Sequence, residues 1–298
     1  GGAAVKLRID VDATDGAART GSIATARGVL PTPLFMPVGT RAAVKTLDTA
    51  DLESLGIPLV LGNTYHLMLR PGADVVAAMG GLHRFMDWSG HLLTDSGGYQ
   101  IFSLEPKVTD DGATFRSTYD GSTHHLTPEG AVEVQTLLGA DIQMVLDVCP
   151  ALPSSPAVVQ AAVDRTAHWA QRARRSFLAG AEARAGRGLH QSQFGISQGG
   201  IDASLRAESA QRTVEVGFDG YAIGGLSVGE TRQEMLPALA AAIEHLPDDQ
   251  PRYLMGVGDP AAIVEAVGLG VDLFDCVLPT RHARHGTVLT GTGKLSIK

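Results

Sequence analysis

The chain has 298 residues, 44% of them apolar and 19% charged, which is the composition of a globular protein with a sizeable core rather than of a disordered or fibrous chain. Thirty-two acidic residues against 24 basic ones leave a formal charge of −8, which excludes a nucleic-acid coat over the whole surface and leaves room only for local basic patches. The two cysteines, Cys149 and Cys276, are too far apart in sequence for a disulfide framework or a local metal knuckle, so a reducing, cytoplasmic setting is expected. No apolar run nears the ~18 residues of a membrane span, and no secretory signal is read. The chain opens on Gly-Gly rather than Met and is expected to be trimmed, tagged or part of a longer one.

Residues 5–33 alternate apolar and polar around Thr14-Asp15-Gly16, predicting an antiparallel hairpin that closes the floor of a barrel. Eight short apolar runs then predict buried strands at residues 34–38, 59–62, 92–95, 142–147, 194–198, 221–224, 253–257 and 272–276. Helix-like stretches at 49–55, 72–79, 128–138, 156–178, 202–216, 232–245 and 260–269 fall between them. Alternation of this kind over about 250 residues predicts an α/β fold, the (β/α)8 TIM barrel. The runner-up, an open doubly wound sheet, usually carries an early Gly-x-Gly-x-x-Gly, which is missing here. Turn signals at Asp111-Gly112 and Asp120-Gly121 predict that residues 100–127 are an insertion after strand three. Residues 181–193, rich in Gly and Arg, are expected to form a flexible loop. No linker divides the chain, so residues 1–298 are read as one catalytic domain.

Strands buried on both faces should be apolar, and four of these runs break that rule at their carboxyl ends, where such barrels place their chemistry. Asp95, Asp147, Gln198 and Asp275 each stand two residues beyond an apolar partner and so share its strand face. Each alone is an ordinary turn residue; four at equivalent positions predict convergence at the barrel mouth. Converging carboxylates repel and raise at least one pKa, and a split pair divides the work of nucleophile and acid–base catalyst in glycosyl chemistry. An Asp beside a Gln also matches guanine, the first accepting from N1–H and the exocyclic amine, the second donating to O6. The glycine-rich stretch 222–230 is open to three readings: a phosphate cradle, a platform for a flat ring, or a helix-entry turn. Tyr99 and Met255, just beyond strands three and seven, offer faces for stacking a base. Thr280-Arg281-His282-Ala283-Arg284-His285 is the densest basic stretch and adjoins Asp275, which favours contact with an RNA backbone over a merely solvated loop. The histidines show no metal spacing; His66 and the His124-His125 pair read as surface or packing residues.

The motifs Leu61-Gly62-Asn63-Thr64-Tyr65-His66-Leu67, Thr94-Asp95-Ser96-Gly97-Gly98-Tyr99-Gln100, Gln198-Gly199-Gly200, Ala222-Ile223-Gly224-Gly225-Leu226, Tyr253-Leu254-Met255-Gly256-Val257-Gly258 and Phe274-Asp275-Cys276-Val277-Leu278-Pro279-Thr280-Arg281, with others between them, run in order along nearly the whole chain. In these it resembles the tRNA-guanine transglycosylases, also called queuine tRNA-ribosyltransferases. The resemblance implies a (β/α)8 barrel and exchange of guanine at the tRNA wobble position for a 7-deazaguanine, in queuosine biosynthesis. It implies Asp275 as nucleophile and Asp95 as general acid/base. It assigns the base pocket to Ser96, Gly97, Gly98, Tyr99, Asp147, Gln198, Gly225, Leu226 and Met255. RNA contact would come from Gly256, Val257, Gly258, Asp259, Pro260, Ala261 and Ala262, and from Thr280, Arg281, His282, Ala283 and Arg284. Val228 and Cys149 resemble the bacterial branch, which inserts 7-aminomethyl-7-deazaguanine, and Glu230 is expected to favour its ammonium group. Partners implied are the tRNA anticodon stem-loop, guanine and the 7-deazaguanine, with a homodimer for the full-length protein. The family also implies a structural zinc ion in a C-terminal subdomain, whose ligands are expected beyond residue 298 and are not in this chain. Two other classes compete with this one. A phosphosugar barrel enzyme would need a lysine or glutamate at a strand end, and a non-catalytic RNA-binding paralogue would be expected to lack Asp95 and Asp275.

Overall fold

The computed structural model describes residues 7–297; the first two positions of the expected hairpin, 5 and 6, lie outside the described residues. Parallel strands form a ring in the order Leu34–Met36, Leu273–Asp275, Arg252–Leu254, Gly220–Ile223, Ser192–Ser197, Ile142–Met144, His91–Thr94, Leu59–Gly62 and Val38–Gly39. The two ends of that order are halves of one strand interrupted at Pro37, which has no N–H to give to a neighbour but still accepts from Leu61 N at 3.0 Å. Eight strands thus close a (β/α)8 barrel, as the apolar runs predicted. Strands such as Leu59–Gly62 and His91–Thr94 are buried at every position, as parallel strands covered on both faces must be.

The connecting helices start where the sequence supplies caps. Thr127, Ser155, Asp202 and Asp259 each accept from the N–H three residues on, and Pro at the first helical position follows three of them. Thr231 and Glu234 form a reciprocal capping box at the head of Arg232–Ile243.

Several elements differ from expectation. The N-terminal segment is a three-stranded antiparallel sheet, Ile9–Asp15, Ala18–Thr25 and Gly28–Thr32, rather than a hairpin. It does sit at the barrel floor: Arg19 reaches Asp272 at the start of strand eight, and Ile9 N donates to Asp249 O at 3.1 Å. The fourth strand is shorter than predicted and ends at Met144, although Val145 N still pairs with Phe194 O at 3.2 Å. Residues 181–193 are not a loose loop. Helix Ala181–Gly186 occupies the first half, where Arg184 lies 3.6 Å from the Phe177 ring centroid and donates to Phe177 O. The insertion holds three short antiparallel strands, Lys107–Val108, Ala113–Arg116 and Thr123–Leu126. Short helices at Thr64–Leu69, Leu82–Met86 and Gly98–Phe102 were not anticipated, nor was the final hairpin Thr287–Thr290 with Gly293–Ser296.

Candidate active site

The carboxyl ends of the strands surround a cavity of about 400 Å³. Asp95, at the end of strand three, is held by three close donors, the Asn63 amide to Oδ2 at 2.5 Å and Thr64 N and Gly97 N to Oδ1 at 2.8 and 3.1 Å, with the Gln100 amide farther off at 3.5 Å from Oδ2. Thr64 N belongs to the first turn of a helix, so the carboxylate also meets the positive end of that helix. Burial nevertheless pushes the Asp95 carboxyl up to about 6, with the nearby Asp275 charge adding to the rise and the three donors opposing it.

Asp275, at the end of strand eight, has both its hydrogen bonds on one oxygen. Tyr253 Oη donates at 2.6 Å and Gly256 N at 2.8 Å, each to Oδ1. Oδ2 has no hydrogen-bond donor among the described residues. Burial raises this carboxyl as well, and the two bonds hold the rise back. Tyr253 itself, fully buried beside an anion, is pushed well above its ordinary pKa and keeps its proton.

Asp147 is the most enclosed of the three, 5% exposed. Gln198 Nε2 donates to its Oδ2 at 2.6 Å, and Ser96 Oγ lies 3.5 Å from Oδ1. Burial moves it to about 6, the Gln198 and Ser96 bonds opposing, the Asp95 charge assisting. Gln198 is 1% exposed, lies behind the glycine turn and does not wall the cavity. Its amide is committed to Asp147, and its Oε1 is without a partner among the described residues.

The turn at Gly224-Gly225 passes over that amide so closely that a Cβ on Gly225, whose φ is +67°, would fall 2.1 Å from Gln198 Oε1. Beneath the turn is Arg206, a residue that sequence reasoning missed. Fully buried on helix Ala203–Val216, it donates to the carbonyls of Gly200, Ser197, Gly224 and Gly225 at 2.8, 3.3, 2.7 and 3.1 Å. In trans peptides C=O and N–H point opposite ways, so the N–H groups of Gly225 and Leu226 face away from the guanidinium, and both residues wall the cavity. Burial depresses the Arg206 pKa to about 10, which leaves it charged. An arginine at one position of a helical stretch carries no signal of this role; only its inward-facing register does.

Tyr99, 64% exposed, stands at the cavity's open side, and Met255, Ser96, Gly98, Leu226, Gly256 and Arg281 also line the cavity. Val228 and Cys149 also wall it, and burial lifts the Cys149 thiol to about 12, so it stays protonated. Gly97 supports Asp95 through its N–H and does not border the cavity. Glu230 does not point into the cavity as expected. Its carboxylate accepts from Ser227 N and, at 3.0 Å, from Val228 N, and so ties the loop to itself.

The segments assigned to RNA contact divide. Thr280, Arg281, His282, Ala283 and Arg284 are not a loop but lie in helix Leu278–Arg284, of which Arg281 reaches the cavity. Val257 and Gly258 are packed inward, a Cβ on Gly258 falling 2.5 Å from Cys276 Cβ. Asp259 caps the following helix, and Pro260, Ala261 and Ala262 are its first turn. His66 bonds Tyr119 Oη at 2.8 Å and the His124-His125 pair bonds side chains of the insertion, in keeping with packing roles. Among the described residues no group of three or more His, Cys, Asp or Glu side chains is placed to hold a metal ion. The described residues therefore do not fit a zinc centre.

Paired, partly exposed carboxylates with raised pKa values at the carboxyl end of a (β/α)8 barrel define this as a barrel enzyme. Residues 13–298 match the family described as Queuine tRNA-ribosyltransferase. Proteins of that name from Solidesulfovibrio magneticus and Novosphingobium aromaticivorans are 52% and 51% identical to this chain, over 95% and 98% of it and over 75% and 78% of their own lengths. The one from Symbiobacterium thermophilum is 52% identical over 95% of the chain and 69% of its own length. The chain belongs to this family of transferases.

Proposed function

We propose that the chain exchanges guanine at the wobble position of tRNA for 7-aminomethyl-7-deazaguanine, through a covalent enzyme–RNA intermediate. The observation that carries the reading is the opposition, across one cavity, of a carboxylate with a free oxygen and a carboxyl poised to hold a proton. Asp275 Oδ2 attacks C1′ of the ribose while the bond to guanine breaks. Asp95, its pKa at about 6, gives the departing base a proton. The incoming base returns a proton to Asp95 and displaces the carboxylate, so the anomer is retained through two inversions. Tyr253 and Gly256 N stabilise the carboxylate as it leaves, because both donate to the oxygen that does not bond carbon.

The base is extracted from the loop and enters a pocket where Asp147 accepts from its N1–H and amine. The N–H groups of Gly225 and Leu226 face the side where a purine carbonyl oxygen would lie, with Tyr99 and Met255 on the ring faces. Gln198 acts by orienting Asp147. Val228 and Cys149 both wall the cavity, and a branched side chain in that wall supports the small aminomethyl base over the bulkier queuine for which the relatives are named. Among the described residues no helix is long and apolar enough to cross a membrane. The cytoplasmic setting and a homodimer of the full-length protein are parts of the same proposal.

The test is exchange of labelled guanine in tRNA. Asp275→Ala should abolish it, and the active protein should form an RNA adduct that survives a denaturing gel. Appreciable turnover in Asp275→Ala would remove Asp275 as nucleophile.

A further inference from the structure

Three residues from three separate segments meet at the same end of the barrel without serving the cavity. Arg41 lies two residues past the first-strand segment Val38–Gly39, Arg70 ends the helix after strand two, and Tyr119 is in the insertion after strand three. The guanidinium carbons of Arg41 and Arg70 lie 5.0 and 5.2 Å from the centroid of the Tyr119 ring. His66 holds that ring by a 2.8 Å bond to Tyr119 Oη. Burial and the Arg41 charge both depress the His66 pKa, which keeps it neutral at pH 7.

The arrangement brings two like charges together, and no carboxylate among the described residues neutralises either. Two cations sharing one ring are at most about 10 Å apart, within about one Debye length, so salt screens their repulsion only in part. Neither makes an ion pair among the described residues, although many other arginines do, Arg172 with Glu129 and Arg212 with Asp164 among them. The adjacent carboxylate, Asp120, is turned to Ser122, accepting from its N at 3.0 Å and its Oγ at 2.6 Å. Both arginines are exposed. Stacking on an aromatic face leaves the planar forks of donors free, the arrangement suited to bidentate capture of phosphate oxygens.

Position decides which phosphates. Strand eight pairs with strand one, and strand one with strand two. Arg281 and Arg284 after strand eight, Arg41 after strand one and Arg70 after strand two therefore form one arc around the cavity mouth, and none of the four is in an ion pair among the described residues. In a chain of charge −8, an arc of unpaired arginines on the catalytic face is a local exception to the overall sign.

We infer that Arg41 and Arg70, stacked on Tyr119, are a second phosphate clamp for the RNA backbone, next along the rim of the mouth from the helix bearing Arg281. The inference rests on the proposed tRNA substrate and adds the path of the strand beyond the flipped nucleotide. It is tested with the double variant Arg41→Gln/Arg70→Gln, by measuring affinity for an anticodon stem-loop over a range of KCl concentrations and, separately, affinity for free guanine. The variant should bind the RNA roughly tenfold more weakly at physiological salt, with a salt slope shallower by about one to two, since each lost phosphate contact removes about 0.7–0.9. Guanine affinity should match the unaltered protein, which also shows that the barrel has folded. Unchanged RNA affinity and slope would overturn the clamp while leaving the transferase reading intact. Altered self-association with unchanged RNA affinity would also overturn it, giving the face to a protein contact. Failure of the unaltered protein to bind the stem-loop at all would instead remove the substrate on which the inference stands.

Discussion

Asp147 shows how one side chain is asked to do opposite things in the free and loaded protein. Burial makes it bind its proton more tightly in the folded state, at about 6 against an ordinary 3.8. At pH 3 both folded and unfolded chains are protonated there and the group is neutral in the balance. As pH rises through the interval between those two values the unfolded chain ionises first, so folding loses stability, and the loss is complete above the folded value. A base that donates N–H groups to the carboxylate repays this on binding. Asp147→Asn should therefore raise the Tm of the free protein more at pH 8 than at pH 4. It should also weaken guanine by ~1–3 kcal/mol, because the new amide presents a donor to donors. Scanning calorimetry at the two pH values and titration calorimetry with guanine read the two effects. Equal guanine affinity would sink the base-reading role of Asp147.

Among the elements, the glycine turn at Gly224-Gly225 depends on a single buried cation. Arg206 meets four carbonyls from a fixed planar fork, a pattern that an ammonium on a flexible stem cannot reproduce. Arg206→Lys should loosen the turn and let the N–H groups of Gly225 and Leu226 stray. The expected result is guanine affinity lower by roughly tenfold, about 1.4 kcal/mol, and faster proteolytic cleavage within residues 224–230. Guanine affinity within twofold of the unaltered protein would show that the turn holds its shape without the guanidinium. Asp95, Asp147, Gln198 and Asp275 were legible because they break apolar runs at the carboxyl end, where burial on both strand faces makes any polar residue stand out. Arg206 was not, because an arginine on an amphipathic helix looks the same from outside whether it faces water or four carbonyls. The direction of Gln198 was equally hidden: a strand position fixes which face a side chain leaves from, not whether its amide reaches the cavity or a neighbouring carboxylate. The length of the eight strands was readable to within about three residues at each end, while the helices missed were of five to seven residues, too short for an apolar periodicity to repeat. Helix Leu278–Arg284 also lacks a side-chain N-cap, so nothing marks its start and its basic residues read as a loop.

For the molecule as a whole, the floor of the barrel is where the chain commits its most buried ion pair. Arg19, on the N-terminal sheet, donates from Nε and Nη2 to the two oxygens of Asp272 at 2.8 and 2.7 Å, across 253 positions of sequence. It also donates to the carbonyls of Asp248 and Gln250, and Asp272 takes a further 2.8 Å bond from Arg252 N. Asp272 is 0% exposed, so every lone pair it turns inward must find a protein donor. One contact thus fastens the sheet to the starts of strands seven and eight and closes the end opposite the cavity. Arg19→Ala strands the Asp272 charge in the floor, which should cost ~3–5 kcal/mol, since breaking a buried pair leaves an uncompensated ion. Arg19→Ala/Asp272→Asn, which removes that charge, should recover part of the loss. Urea unfolding measures both, and guanine titration well below the transition should give unaltered affinity because the pair lies at the far end of the barrel. A loss under ~1 kcal/mol in Arg19→Ala would mean that water reaches Asp272 once the guanidinium is gone, and that the sheet covers the floor without fastening it.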